Sequence, residues 1–279
     1  MPTGDSALTI KEQKTKFFVN NWLFQSALTY KNWWVMFLDY LYPSFTKEYI
    51  LKTWRFGNYF IRPKDGDVTV ANEVFVSNEY GIKGSKQKKL AIDVGANIGT
   101  FTIGWLKNNK DGVVFAYEPD PENFRQLKRN LELNNLSSKV TCKKAALGEK
   151  EEEVDFTIGI KHACGTTKSL VQGDLVVGEK TIKASSLLLQ NEIEKYGIEQ
   201  IDFLKVDCEG SEYEILYGLK KSTIDRIKKV VVEAHTLKSG PKTHTPDVLY
   251  RHLVARGFKV ERKVFFEFSK THVFVCTKD

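Results

Sequence analysis

The stretch "LAIDVGANIGTFTIGWL", residues 90–106, decides the fold of this 279-residue chain. It begins with an apolar run that ends in Asp93, and this pattern predicts a short buried strand. Glycines then alternate with small residues before a second apolar run, which predicts a tight turn and a helix over 97–108. Several nucleotide-type cofactors bind to a strand, a glycine-rich turn and a helix, and they differ in the charge that they bring to the turn.

The turn contains Asp93, Gly95, Asn97 and Gly99, and it departs from the G-x-G-x-x-G pattern of dinucleotide sites. A carboxylate would repel a pyrophosphate by about 4 kcal/mol at ~4 Å and an effective dielectric of about 20. S-adenosylmethionine instead brings an ammonium and a sulfonium, and Gly95 lets the backbone approach it closely. The carboxylate of S-adenosylmethionine suits the helix N-terminus after Asn97. The turn therefore predicts S-adenosylmethionine rather than NAD, with the alternative that Asp93 only caps the helix.

A second acid, Glu118, follows Asp93 by 25 residues at the end of the predicted strand "GVVFAYE". A carboxylate at this place can accept hydrogen bonds from both ribose hydroxyls. Apolar strand segments and helical segments continue to alternate along the chain, and "FKVERKV" with "HVFVCTK" predicts an antiparallel hairpin at the sheet edge. The alternation predicts an α/β fold with a mostly parallel, doubly wound sheet.

The N-terminal part differs in composition from the rest. Residues 15–55 are predicted to be helical, and the turn-broken stretch over 57–88 is predicted to be a β-rich lead-in. These patterns divide the chain into an N-terminal aromatic helical segment, 1–56, and a main domain, 57–279. Within 17–43 the longest apolar run is too short to span a bilayer. This segment is predicted either to lie at a membrane surface, with Lys11, Lys14 and Lys16 before it, or to pack on the domain or a second subunit.

The composition, with 42% hydrophobic and 28% charged residues, is typical of a globular protein. The net charge is +7, and from residue 218 onward fourteen Lys or Arg stand against six Asp or Glu. This excess suits an anionic membrane surface or a solvated basic face, whereas no pattern of a nucleic-acid module occurs. The four cysteines form no C-x-x-C pair, and the first residues lack a secretory pattern, so a cytoplasmic location is expected, with a peripheral membrane location as a further possibility.

Six segments, in this order, give the chain a family resemblance: "FIRPKDGDVTVANEVFVSNEYG", "AIDVGANIGTFT", "YEPDPENFRQLKRNLELNN", "AALG", "DFLKVDCEGSEYEILYG" and "VVVEAH". Together they resemble the FkbM family of S-adenosylmethionine-dependent methyltransferases over roughly residues 57 to 236. The resemblance implies a Rossmann-like class I methyltransferase fold and O-methylation, often of sugars or glycosylated products.

The resemblance also implies roles for individual residues. The turn would hold the methionine moiety, Glu118 the ribose, and Ala145 or Ala146 part of the adenine wall, while Asn123 would hold the loop after Glu118. One departure is clear, because the family often has T-L-D where this chain has "KASSLLL". A role of that acid is therefore absent here or taken by Ser185 or Ser186.

Four polar residues at the ends of two later strands are the candidate catalytic residues. Asp207 ends "IDFLKVD" and Glu209 follows it, while Glu233 and His235 close "VVVEAH" on one face of the strand. Asp207 is predicted to face donor and acceptor, and His235 with Glu233 has the character of a general base that titrates near neutrality. Alternatively, the four residues could bind magnesium. If the acceptor were a carboxylate, no general base would be needed.

The predicted function is O-methylation of a sugar hydroxyl or a uronic acid in a glycan or glycoconjugate. The alternatives are methylation of a small secondary metabolite or a lipid headgroup, a binding module without turnover, and an RNA methyltransferase suggested only by the pI of about 9.0. Homo-oligomerisation stays open.

Overall fold

The structure is a computed structural model that describes residues 24–42, 47–63, 65–84, 86–159, 165–166, 178–237, 240–263 and 272–278. The helices are α1 (Trp33–Leu41), α2 (Asp67–Phe75), α3 (Thr100–Asn108), α4 (Pro121–Leu133), α5 (Leu189–Lys195), α6 (Glu212–Tyr217), α7 (Lys221–Ile224) and α8 (Pro246–Ala255). The strands are β1 (Tyr49–Lys52), β2 (Asn58–Ile61), β3 (Leu90–Val94), β4 (Val113–Tyr117), β5 (Val140–Lys143), β6 (Ala146–Leu147), β7 (Glu152–Gly159), β8 (Gly165–Thr166), β9 (Gly178–Leu187), β10 (Phe203–Val206), β11 (Lys229–Ala234), β12 (Lys259–Lys263) and β13 (His272–Thr277).

The main sheet has seven strands in the order β12-β13-β11-β10-β3-β4-β5. Neighbouring strands from β11 to β5 run parallel, and β13 pairs antiparallel with both β11 and β12. One hydrophobic cluster joins the sheet to α2, α3 and α4, and a second joins its other face to α5, α6 and α8. The predicted doubly wound, mostly parallel sheet with an antiparallel edge hairpin is therefore confirmed. The carboxyl ends of β3, β4, β10 and β11 lie side by side, where a parallel sheet places its ligands.

A second, four-stranded sheet lies between β5 and α5 in the chain, with the order β6-β9-β7-β8. Its long strands β7 and β9 pair antiparallel, whereas β6 pairs parallel with the end of β9. The alternation of strands and helices in the sequence did not predict this separate sheet. Strand pairing between distant segments leaves little trace in local periodicity.

The N-terminal part is only partly helical. Residues 24–29 and α1 form helices, but β1 and β2 form an antiparallel hairpin in which Tyr49 lies opposite Ile61. The prediction of helix up to residue 55 is therefore wrong over β1, where paired aromatic and β-branched side chains favour a strand. The boundary placed between residues 56 and 57 falls inside this hairpin. Residues 1–23, with the three lysines before the aromatic segment, lie outside the described part of the chain.

The predicted β-rich lead-in over 57–88 is wrong over α2, because β2 is its only strand among the described residues. The β-branched residues of "DVTVANEVF" favoured a strand, but Ala71, Val74 and Phe75 are buried at helical spacing. The carboxylate of Asp67, buried at the first turn, accepts hydrogen bonds from the backbone and guanidinium of Arg62 at 2.8–3.0 Å. Tertiary contacts therefore override the local strand preference.

In the part of the chain that the structure describes, no helix is both long enough and apolar enough to cross a bilayer.

Candidate active site

The glycine turn after β3 is held tightly between two neighbouring strands. Gly95, Asn97 and Gly99 have positive φ angles of 76°, 50° and 89°. The amides of Gly95 and Ala96 donate to the carbonyl of Tyr117 at 3.0 and 2.9 Å. A Cβ atom on Gly95 would lie 1.8 Å from the backbone carbonyl oxygen of Asp207. Only glycine therefore fits the position at which β3, β4 and β10 meet.

Asp93 is completely buried at the end of β3. Its Oδ2 accepts a hydrogen bond from Thr102 at 2.6 Å, and its Oδ1 lies 3.3 Å from the ammonium of Lys205. Burial raises the pKa of Asp93, and the Lys205 ammonium opposes that shift. The carboxylate thus has internal partners, which the sequence did not reveal.

Lys205 is one of the site residues that sequence reasoning missed. It lies in the fully buried strand β10, and its Nζ donates to the carbonyl of Gly95 at 2.6 Å. The ammonium also lies 3.4 Å from Asp207 and 5.3 Å from the ring centre of Tyr80. Burial lowers the pKa of Lys205, but Asp93 and Asp207 outweigh burial and raise it. A lysine within an otherwise apolar strand was the available signal, since a buried cation needs a carboxylate partner.

Glu118 joins the second strand to the turn. Its Oε2 accepts from the amide of Asn97 at 2.7 Å, and its Oε1 accepts from the amide of Asp120 at 2.9 Å. Burial raises the pKa of Glu118 to about 7 although both amides favour the charged form. The structure therefore brings the predicted ribose acid and the predicted methionine turn together.

Other predicted cofactor residues lie around this corner. Ala145 and Ala146 are buried, and Ala146 pairs with Ser186 of β9, which is also buried. Ser185 is exposed and lies opposite Glu153. The side chain of Asn123 accepts a hydrogen bond from Arg62 at 2.7 Å, so it ties α4 to the residue that follows β2.

The four candidate catalytic residues converge at the ends of β10 and β11. His235 Nε2 lies 3.2 Å from Glu209 and 3.8 Å from Glu233, while its Nδ1 lies 2.7 Å from Glu212. The side chains of Asp207, Glu209 and Glu233 keep 20–24% of their surface exposed, so a ligand can reach them. Among the described residues, no three His, Cys, Asp or Glu side chains are arranged to hold a metal ion.

Carboxylates surround His235 and favour the protonated form of its ring. Burial lowers its pKa, but Glu209 and Glu212 outweigh burial and raise the pKa well above its usual value. The oxygens of Glu212 also accept from the amide of Gly210 at 2.9 and 3.0 Å, which fixes this carboxylate. The buried carboxylates around the ring could not be seen from the spacing of two strand residues, so the sequence did not predict this upward shift.

The segment before β3 contributes three further residues that the sequence analysis did not identify: Glu73, Glu79 and Tyr80. The hydroxyl of Tyr80 donates to Asp207 at 2.8 Å and lies 3.4 Å from Glu233. Burial and the Glu233 carboxylate raise the pKa of Glu73, and burial and Asp207 raise the pKa of Glu79 to about 7. Glu73 was missed because α2 was predicted to be a strand, and Glu79 and Tyr80 follow that helix.

The residues of this corner fit S-adenosylmethionine. Two carboxylates, Asp93 and Asp207, face the single ammonium of Lys205, so the group keeps a net negative charge beside the turn. Negative charge suits a sulfonium and would repel a pyrophosphate. The closely packed Gly95 lets the backbone approach a ligand at this place.

The buried acids predict a pH-dependent stability. Glu79 and Glu118 have pKa values of about 7 in the folded protein, whereas a glutamic acid in the unfolded chain has a pKa of about 4.3. Between these values the folded state binds more protons, so the free energy of unfolding falls as the pH rises from about 4.3 to 7. We expect Tm of the unliganded protein to fall by about 4 °C or more over this window in thermal unfolding.

The control compares two glutamate variants. Glu79→Gln should flatten the pH dependence of Tm, whereas Glu261→Gln, at a side chain that is 67% exposed, should leave it unchanged. A Tm that rises with pH in the wild-type protein would contradict the raised pKa values.

Comparison with known proteins gives matches across the candidate site. Residues 93–260 match the family model described as "Methyltransferase FkbM domain". The hexuronic acid methyltransferase AglP of Haloferax volcanii is 32% identical over 51% of this chain and 54% of its own length. The 31-O-demethyl-FK506 methyltransferase FkbM of Streptomyces tacrolimicus is 27% identical over 52% of this chain and 65% of its own length. "Methyltransferase 1" of Beauveria bassiana is 26% identical over 59% of this chain and 72% of its own length.

The family model covers more than half of the chain, and it spans the glycine turn together with the Asp207 and His235 strand ends. The chain therefore belongs to the FkbM methyltransferase family, which confirms the predicted family and S-adenosylmethionine as the methyl donor.

Proposed function

We propose that the protein transfers a methyl group to a hydroxyl of a sugar in a glycan or glycoconjugate. The observation that carries this proposal is the group of partly exposed carboxyls at the ends of β10 and β11, beside the glycine turn. S-adenosylmethionine supplies a methyl group on a sulfonium, which is already an activated electrophile. The protein must therefore orient the acceptor and take up one proton.

Glu233 is the proposed proton acceptor. Burial and the Asp207 carboxylate raise its pKa to about 8, which is close to the pH at which a general base works best. Asp207 stays ionised, because the Lys205 ammonium and His235 outweigh burial and lower its pKa. Asp207 then accepts a hydrogen bond from a second acceptor hydroxyl, while the ring of His235 lies 3.2 Å from Glu209 and 3.8 Å from Glu233.

The charge of the site favours a neutral, hydroxyl-rich acceptor. Glu73, Glu79 and Glu209 add to the two strand-end acids, and an anionic ligand would meet this excess of carboxyls. Methylation of a uronic acid is the second proposal, supported by the name of the hexuronic acid methyltransferase AglP. Methylation of a small secondary metabolite is the third, supported by the similarity to the FkbM enzyme.

The proposal is tested by measuring donor binding and methyl transfer separately. Calorimetric titration with S-adenosylmethionine and with NAD should give binding of the methyl donor alone. Methyl transfer is then measured with a neutral glycan, a uronic-acid glycan and a hydroxylated macrolide. Product with the neutral glycan supports the proposal. Transfer only to the carboxylate or only to the macrolide would contradict it in favour of the matching alternative, and donor binding without any product would indicate a binding module.

A further inference from the structure

Residues 24–54 carry most of the exposed large hydrophobic side chains in the part of the chain that the structure describes. Of the eleven exposed large hydrophobic side chains in the described ranges, seven lie between residues 24 and 54. We call these seven the outer aromatic surface: Phe24, Leu28, Trp33, Trp34, Leu38, Tyr42 and Trp54. Trp34 and Trp54 are 52% and 62% exposed, which is unusual for the side chain with the largest apolar area.

Backbone contacts join the parts of this surface to one another. The amide of Trp54 donates to the carbonyl of Thr29 at 3.1 Å, and the amide of Lys31 donates to the carbonyl of Lys52 at 2.7 Å. Asn32, just before α1, donates from its side chain to the carbonyl of Ile50 at 2.8 Å. The helical residues 24–29, the start of α1 and the end of β1 therefore form one continuous layer.

The inner face of this layer is already packed on the domain. Ser26, Tyr30 and Met36 are buried, and the Tyr30 hydroxyl donates to Asn72 of α2 at 2.9 Å. The contact with the domain thus uses a different set of side chains from the outer aromatic surface. Packing on the domain, one of the two predicted roles of this segment, leaves the outer apolar face uncovered.

Basic side chains accompany the outer aromatic surface. Lys31, Lys47, Lys52 and Arg55 are exposed, and the Lys31 ammonium lies 5.3 Å from the ring centre of Trp54. Glu48, a nearby acid, has its carboxylate bound by Arg129 at 2.7 Å. Exposed tryptophans beside lysines are typical of segments that lie in the interface of an anionic membrane.

We propose that the outer aromatic surface docks the protein on an anionic lipid bilayer. The tryptophan rings would lie at the level of the headgroups, and the basic side chains would meet the negative surface potential. The docked layer is bonded through Tyr30 to α2, the helix that carries Glu73 of the acceptor site. The proposal does not depend on the nature of the acceptor.

The test is co-sedimentation of the full chain with two kinds of vesicle, one of phosphatidylcholine alone and one with about one third phosphatidylserine. We expect binding to the anionic vesicles that weakens with salt, because the electrostatic part is screened. The double variant Trp34→Ser with Trp54→Ser should lower the partition coefficient by about tenfold or more, since both rings leave the interface. Tyr250→Ser, at a side chain that is 37% exposed in α8, is the matched control and should leave binding unchanged.

A second variant removes charge without changing the apolar side chains. Lys52→Glu with Arg55→Glu should weaken binding to the anionic vesicles while Tm stays the same, because both side chains are exposed. Equal amounts of soluble protein with and without vesicles would overturn the proposal. A dimer in light scattering that the tryptophan double variant abolishes would also overturn it, because a second copy would then cover this surface.

Discussion

Replacement of Lys205 with methionine is expected to lower the free energy of unfolding by about 3–5 kcal/mol, because it leaves buried charge without a partner. The Lys205 ammonium lies 3.3 Å from Asp93, which is completely buried, and 3.4 Å from Asp207. It also donates to the carbonyl of Gly95. Methionine keeps most of the side-chain volume, so the loss measures the charge rather than a cavity. Urea unfolding followed by circular dichroism gives the change.

Lys229→Met is the matched control for this variant. Lys229 lies in the neighbouring strand β11 with its Nζ 4.4 Å from the ring centre of Phe203. Burial lowers its pKa to about 8, so the ammonium destabilises the folded state and its removal should not lower the free energy of unfolding. The double variant Lys205→Met with Asp93→Asn should regain part of the lost stability. Equal losses for both lysines would contradict the proposed charge balance.

Replacement of Glu233 with glutamine is expected to lower kcat by about 100-fold or more for a hydroxyl acceptor, because the proton acceptor is lost. In the wild-type enzyme the Glu233 carboxyl has a pKa of about 8 and is mostly protonated at neutral pH. The base is the ionised form, so kcat/KM should rise with pH and level off above about 8. The variant should lose this rise while calorimetry still detects donor binding.

Glu79→Gln separates the chemistry from the electrostatics of the acid group. Glu79 is only 4% exposed, so its carboxyl does not face a ligand, but its charge helps to raise the pKa of Glu233. This variant should keep kcat within about tenfold of the wild-type value and move the inflection in kcat/KM to lower pH.

An unchanged pH profile in Glu233→Gln would assign the proton uptake to another group. A uronic acid acceptor needs no base, so Glu233→Gln would lose little activity with that acceptor.

Much of the cofactor half of the site was predictable because its residues lie in short, local patterns. The turn from Asp93 to Gly99 follows directly after a strand, and backbone geometry limits which residues it accepts. Glu118 could be predicted from the end of the next parallel strand, since neighbouring carboxyl ends meet at one edge. The actual partners of Asp93 were not predictable, because Thr102 and Lys205 come from a helix and a strand whose packing is not encoded in spacing.

The group of acids at the ends of β10 and β11, proposed to bind the methyl acceptor, was predicted less well. Asp207, Glu209, Glu233 and His235 do converge, but the pKa of His235 depends on three carboxylates that surround a buried ring. Glu73 comes from α2, whose β-branched residues favour a strand although buried residues at helical spacing make it a helix, and Tyr80 comes from the turn that follows. Local propensity is weaker than the burial of an apolar helix face, and that burial depends on the rest of the fold.

By itself the sequence determined the strand–turn–helix unit, the alternation that makes a parallel sheet, the family and the methyl donor. The first two features depend on backbone conformation and periodicity, which act over a few neighbouring residues, whereas the family followed from the resemblance of six motifs. Only the tertiary structure decided that Lys205 balances two carboxylates, that carboxylates raise the pKa of His235 and that α2 brings Glu73 to the strand-end acids. Charges and pKa values depend on burial and on distances between residues far apart in the chain, so they exist only once the chain has folded.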